Sequence, residues 1–290
     1  MTTSSNKKHD SSSSQPVTFH NPEIKHDEVK KPGTIVTLPF GFGPIPSSFQ
    51  NKRIFYFDID NCLYKRSTQI HDLMQVKIHK YFKDNLQLDD EEAHKLHMNY
   101  YKTYGLAIEG LVRNHQVDAL DYNSKVDDSL DLNNILSYNQ DLRDMLIELK
   151  KSDKYDYFWL ITNAYKNHAL RVVSFLGLGD LFDGLTYCDY SKFPIICKPM
   201  KEFFENCLTL TNIDYTNPKN VKLQTFIDDS EINVRAAYKI GFGTVIHFIE
   251  VESEYQTLIA KPDYKEFYSQ SKDDGKIKII RDILELPNVI

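Results

Sequence analysis

The sequence predicts an α/β protein: a parallel sheet with helices on both faces, interrupted by one inserted all-helical cap. Short β-branched and aromatic runs, Arg53-Ile-Phe-Tyr-Phe57 and Tyr157-Phe-Trp-Leu-Ile161, have the character of strands buried on both faces. From Tyr157 onward such runs alternate with segments of helical spacing, the pattern of βα units whose strands lie parallel. Between the first strand and the helix before the second, about 75 residues carry helical periodicity and no strand signal.

Taken in order, residues 1–50 are rich in Ser, Thr, Lys and Asn and then in Pro and Gly, a composition that buries too little apolar surface to offset chain entropy. They are expected to form a mostly disordered tail, with Ile35 to Phe42 able to pack loosely on the body. The core is expected over 51–65 and 138–290, and the helical cap over 66–137. In the cap, Ile70, Leu73, Met74, Ile78, Tyr81 and Phe82 recur at helical spacing, and Glu91 to Tyr104 and Leu106 to His115 also predict helices. Asn139 is a plausible N-cap for a helix running to Lys151. The strand Tyr157 to Ile161 feeds a helix from about Ala164 to Leu176, which Gly177 can stop in a left-handed conformation. A short strand at Leu185 to Cys188, a helix at Pro199 to Leu210 and a strand at Val221 to Ile227 follow. A helix from Ser230 to Ile240 ends at Gly241, and Thr244 to Ile249 is the last predicted strand.

Composition narrows the function. The chain has 290 residues, 41% hydrophobic and 26% charged, with 35 basic against 41 acidic side chains. A net charge of −6 argues against broad binding to a phosphate backbone, so no nucleic-acid partner is expected. No stretch approaches the roughly 20 apolar residues that span a bilayer, and no secretory signal is visible, so no membrane partner is expected. The expectation is a cytoplasmic protein, with the nucleus open as a second compartment, acting as a monomer or weak homodimer. Cys62, Cys188, Cys197 and Cys207 lack the spacing of a zinc site or a disulfide scaffold, and the pair His94 and His97 has no further ligands around it.

In parallel α/β sheets the ligand lies beyond the carboxyl ends of the strands. The first strand ends in Asp58-Ile-Asp60-Asn61, the second in Thr162-Asn163 and the third in Asp228-Asp229-Ser230, with Lys198-Pro199 between the last two. Each fragment has a plain explanation as a helix cap, a turn or a solvated lysine. Together they would gather four carboxylates in one crevice, where like charges raise each other's pKa and a hard, oxygen-liganded cation relieves the repulsion.

In this order and spacing, Asp58-Ile-Asp-Asn-Cys-Leu-Tyr64, Thr162-Asn163, Lys198-Pro199 and Asp228-Asp229-Ser230 resemble the four motifs of the haloacid dehalogenase-like hydrolase superfamily, over about residues 53–250. Within it, Phe57 to Tyr64, the cap segment Tyr100-Tyr-Lys-Thr-Tyr-Gly-Leu106 and Phe226-Ile-Asp-Asp-Ser230 resemble fungal pyrimidine 5′-nucleotidases. The resemblance implies a Rossmann-like core, Mg²⁺ as cofactor and a small phosphomonoester as substrate, UMP or CMP being cleaved to nucleoside and phosphate. It makes Asp58 the nucleophile and Asp60 the acid and base, the latter protonated when substrate binds. Thr162 and Asn163 would bond the phosphate, and Lys198 would neutralise it. The metal would lie on Asp58 and Asp229, with Asp228 as second ligand or outer acceptor and Asp60 contributing its backbone carbonyl. Cys62 departs from the pattern, standing where the superfamily usually has threonine; it is either a buried small residue or an oxidation-sensitive thiol. By the same resemblance Asp60 argues for phosphate chemistry over dehalogenation, although the superfamily's mutases keep it too.

The cap residues Tyr100, Tyr101, Tyr104, Leu106 and Glu109 could border a base, although aromatic residues at helical spacing also arise from plain packing. Two alternatives stay open: a phosphatase for another small phosphomonoester such as lysophosphatidate, and a non-catalytic regulator that kept the fold.

Overall fold

The computed structural model describes residues 14–269 and 275–290. An antiparallel ribbon comes first, β1 (Val17–His20) paired with β2 (Ile35–Leu38). After β3 (Ile54–Phe57) come four helices, α1 (Ile70–Leu86), α2 (Asp90–Tyr104), α3 (Ala107–His115) and α4 (Ala119–Lys125). Helix α5 (Gln140–Lys151) then opens the alternation β4 (Tyr157–Ile161), α6 (Lys166–Phe175), β5 (Gly184–Thr186), α7 (Lys201–Leu210), the single turn α8 (Pro218–Val221), β6 (Thr225–Asp228), α9 (Glu231–Ile240), β7 (Thr244–Phe248) and β8 (Lys278–Ile280).

The main sheet has the order β5-β4-β3-β6-β7-β8, with every pair parallel. The chain runs outward from β3 to β5 and returns on the other side at β6, so the boundary between β3 and β6 is the switch point at which such sheets open a crevice. Register brings the strand ends level: Phe57 lies opposite both Leu160 and Ile227, so Asp58 emerges beside Asp228.

Side-chain alternation along β3 divides the core. Phe55 and Phe57 pack with Leu142, Leu146, Phe158 and Val172 on one face, while Ile54 and Tyr56 pack with Trp159, Phe203, Phe204 and Phe226 on the other. Each fully buried Phe or Ile contributes about 1.5–3 kcal/mol relative to exposure. Local signals behave as predicted at α5, where the Asn139 side chain accepts the Leu142 N–H at 3.0 Å, and at Gly177 and Gly241, whose φ values are +69° and +104°.

The cap helices enclose their own core, built on Tyr81, Phe82, Tyr100, Ile108, Leu111 and Tyr122 and joined by Cys188, Tyr190, Ile195 and Cys197 from the loop after β5. Leu130, Leu132 and Leu136 pack instead with the sheet domain, so the chain rejoins the core near residue 130, earlier than the expected 138. Among the described residues no helix is long and apolar enough to cross a membrane.

Three other expectations differ. Residues 14–50 are built into the fold, whereas composition predicts a tail; residues 1–13 lie outside the described residues. Val36 and Leu38 are buried in the main core. Backbone bonds tie the segment to the loop after α6, from Gly179 N–H to Gly33 C=O (2.8 Å) and from Thr37 N–H to Gly179 C=O (2.9 Å), and Glu23 takes a two-pronged contact from Arg171 at 2.6 and 2.9 Å. A few well-placed apolar residues and backbone partners outweigh the average composition. The strand expected from Val221 begins only at Thr225, because Asn217 caps a helical turn with Pro218 at its first position. Strand β8, from the run Lys276-Ile-Lys-Ile-Ile280, was not predicted.

If the 14–50 segment is structural, Leu38→Ala should cost about 2–4 kcal/mol in urea unfolding, the range for emptying a buried leucine site; a loss below about 0.5 kcal/mol would match a mobile tail.

Candidate active site

The ends of β3, β4 and β6 and the loop before α7 deliver the polar residues to one crevice, whose walls include Asp58, Asp60, Thr162, Asn163, Lys198 and Asp229. At its floor the Lys198 ammonium, 1% exposed, spends its three hydrogens on Asp58 Oδ1 (2.6 Å), Asp228 Oδ2 (2.6 Å) and the Ile161 carbonyl (3.1 Å). Burial works against the charge of Lys198, but Asp228 and Asp58 outweigh it and hold the ammonium protonated. Asp228 is fully engaged, since its Oδ1 also accepts the Ser230 N–H at 2.8 Å and the Asn233 amide at 3.0 Å. Asp58 Oδ2 carries no hydrogen bond among the described residues.

Oxygens of Asp58, Asp228 and Asp229 lie within 4.8 Å of one another. Burial pushes the Asp58 carboxyl up, and Asp228 adds to this against the pull of Lys198; burial and Asp228 push Asp229 up to about 7. Three carboxylates against one ammonium leave an excess of negative charge in a buried site, and the donor set is all hard oxygen. These residues fit a divalent cation. The Asp60 carboxylate lies outside this triplet: its Oδ1 meets the Tyr64 hydroxyl at 2.8 Å and His168 Nε2 at 2.7 Å. Its side chain is therefore not a member of the metal cluster.

The surroundings of Asp60 also shift its titration in the ligand-free protein. Burial alone would raise its pKa, but the charge and hydrogen bond of His168, the Tyr64 hydroxyl and Lys198 hold it below the usual carboxylate range. Burial lowers His168, and Asp60 more than restores it, so His168 is raised. The paired Asp60 and His168 thus favour the carboxylate and the imidazolium, one hydrogen bond apart.

Thr162 Oγ1 accepts the Ala164 N–H at 3.0 Å, leaving its own hydrogen for a ligand. Helix α6 starts only at Lys166, so Thr162 forms a turn before the helix instead of capping it. Asn163 and Lys198 are stitched by reciprocal bonds, from Asn163 Nδ2 to the Lys198 carbonyl (2.9 Å) and from the Lys198 N–H to Asn163 Oδ1 (2.7 Å). Cys62 is fully buried and burial pushes its thiol pKa up, which makes it a packed small residue and not a reactive one.

The cap residues divide. Leu106 lines the crevice. Tyr100 is turned into the cap core, packed against Phe82 with its hydroxyl 2.6 Å from His115 Nε2. Tyr104 packs at a tilt against Tyr100 under the Arg113 guanidinium. Glu109 is fully buried, pairing with Arg113 and accepting the Ile195 N–H at 2.9 Å. These three are packing residues and do not border the crevice. Its cap wall includes His71, Met74, Gln75, Ile78, His97 and Tyr101, while His94 is exposed and does not line it. Of the crevice residues Tyr101, Gly105 and Leu106 lie in the aromatic segment Tyr100–Leu106. His168 went unseen because its partner, Asp60, is 108 residues away; the only local signal was a histidine in the first turn after Thr162-Asn163.

A family model described as haloacid dehalogenase-like hydrolase matches residues 52–241. Phosphate metabolism protein 8 of Saccharomyces cerevisiae is 42% identical over 255 residues, which covers 85% of this chain and 75% of the yeast protein. Among solved structures, a haloacid dehalogenase-type hydrolase of Bacillus subtilis bound to magnesium aligns at a TM-score of 0.47 and 14% identity over 82% of this chain and 98% of its own. A haloacid dehalogenase-like hydrolase of Streptococcus pneumoniae gives the same score, identity and shares.

The position of Glu109 makes it structural. Glu109→Gln should lower unfolding stability by about 1–3 kcal/mol through its buried contacts while leaving the order of preference among ligands unchanged; an altered preference at unchanged stability would return Glu109 to the binding wall.

Proposed function

This chain belongs to the haloacid dehalogenase-like hydrolases and is an enzyme of phosphatase type, and from that premise we propose that it hydrolyses pyrimidine nucleoside 5′-monophosphates, UMP and CMP, with Mg²⁺ and through an aspartyl phosphate on Asp58. The observation that carries the reading is the asymmetry of Asp58. Lys198 holds Oδ1 and fixes the carboxylate, while Oδ2 has no hydrogen-bond partner among the described residues at the crevice wall.

Asp58 Oδ2 donates an electron pair to phosphorus, and the bond to the ester oxygen breaks on the opposite side. Asp60 delivers a proton to the leaving oxygen, drawing on the proton it shares with His168. It then takes a proton from the water that cleaves the acyl phosphate, freeing phosphate and restoring Asp58. Thr162 hydroxyl and the Asn163 N–H donate to phosphoryl oxygens, and the stitched Asn163–Lys198 pair keeps that donor set fixed. Asp58 and Asp229, backed by Asp228 as an outer acceptor, would hold Mg²⁺, which would supply charge neutralisation for the incoming phosphate. Since Asp228 already satisfies Lys198, Ser230 and Asn233, its part is to orient, and Asp229 is the freer ligand.

The nucleotide reading is supported by the cap segment that resembles fungal pyrimidine nucleotidases and by the crevice it helps to wall, where Met74, Ile78, Tyr101, Leu106 and Tyr122 present apolar and aromatic surface to a flat ring. The yeast relative's name places that protein in phosphate metabolism. We place the protein in the cytoplasm, acting on a diffusible small molecule.

A release assay for phosphate on UMP, CMP, AMP and lysophosphatidate tests both levels. UMP and CMP should be the best substrates, activity should vanish in EDTA and return with MgCl₂, and Asp58→Asn should lose at least about 10³-fold. Turnover of lysophosphatidate with neglect of both pyrimidine nucleotides would refute the substrate; turnover by Asp58→Asn at the wild-type rate would refute the mechanism.

A further inference from the structure

Deepening the substrate reading above, and resting on it, we infer that Asp127 recognises a hydroxyl on the alcohol part of the substrate, the ribose hydroxyls of a nucleotide, and so selects ribose over deoxyribose phosphomonoesters.

Asp127 is only 3% exposed and yet lines the crevice, where the charges of His168, Asp60 and Asp128 and the hydroxyl of Tyr190 bear on it. Among the described residues its carboxyl has one hydrogen-bond neighbour, the Tyr190 hydroxyl at 3.5 Å. That hydroxyl also lies 3.1 Å from the Asn163 carbonyl. A phenol has a single hydrogen, and the shorter contact takes it. Among the described residues a buried carboxyl with room for several donors keeps only one long, shared contact, an arrangement that folded proteins rarely leave unexplained.

The vacancy is not slack in the chain. Arg171 on α6 grips the backbone here, donating to the Asp127 and Asp128 carbonyls at 3.3 Å each and to the Leu130 carbonyl at 2.7 Å, and is itself fixed by Glu23. Asp127 therefore belongs to the rigid wall of the core and not to the cap helices.

Position and chemistry identify the donor. Tyr190 joins Asp127 to Asn163, in the loop that would hold the phosphate, so Asp127 faces the first groups beyond the ester oxygen. In a nucleotide those are the sugar; the base lies further out, toward the cap wall. Burial pushes the Asp127 carboxyl up to about 7. A hydroxyl, which both donates and accepts, can pair with the carboxyl in either protonation state. A methylene in its place would leave the buried group unpaired again, the situation that produces large discrimination.

The test compares kcat/KM for UMP and dUMP in wild type, Asp127→Ala and Asp127→Ser, full-length and with Mg²⁺, with thermal melts to show that each variant folds. Wild type should prefer UMP by about tenfold or more. In the variants the ratio should fall toward one, mainly through loss of UMP turnover. Ribose 5-phosphate and 2-deoxyribose 5-phosphate repeat the comparison without a base. Inert nucleotides beside a ribose preference that depends on Asp127 would refute the pyrimidine reading and keep this one. Equal use of ribo and deoxy substrates by wild type, or a folded variant with its preference intact, would overturn it.

Discussion

One buried ammonium organises the catalytic end of this protein. Lys198 sits between Asp58 at the end of β3 and Asp228 at the end of β6, the two strands on either side of the switch point. Taking an ammonium out of water costs several kcal/mol, and it is tolerated here only because two carboxylates and a carbonyl satisfy every hydrogen it has. The consequence is specific. One oxygen of Asp58 is fixed, Asp228 is saturated, and the remaining negative charge of Asp58 and Asp229 is concentrated where a cation and a phosphate would meet.

The rest of the molecule keeps that crevice in shape. Asn163 and Lys198 bind each other's loops, and Gly105 packs the cap against the same loop, where an added Cβ would lie 3.2 Å from Pro199 Cδ. Glu109 does similar work further out by accepting the Ile195 N–H. On the other side, Arg171 and Glu23 tie the 127–130 segment to the ribbon ahead of β3. The crevice thus has a rigid core wall carrying charge and a helical wall carrying aromatic and apolar groups, a division suited to a substrate with a charged end and a flat end.

The sheet and the polar cluster at its carboxyl edge are legible in the sequence because both are local signals. Continuous apolar runs marked β3 and β4, and polar residues directly after each strand marked the site. Asp58, Thr162, Asn163, Lys198, Asp228 and Asp229 meet where topology requires. Other features depended on information a single segment does not contain. Helical phase decides which cap aromatics see the crevice: Tyr101 faces it, whereas Tyr100, one residue and about 100° away, points into the cap. The pairing of Asp60 with His168 and the exchange of bonds between residues 14–50 and the body are contacts between distant stretches, and composition alone pointed the wrong way for the latter.

Mapping the covalent intermediate tests the account most directly. Rapid acid quenching during turnover, followed by peptide mass spectrometry, should find a phosphoryl group on the peptide containing Asp58, carried by that residue. Steady turnover with no adduct, or an adduct on any other side chain, would mean that water attacks phosphorus directly or that another nucleophile acts, and either result would contradict the role assigned to Asp58.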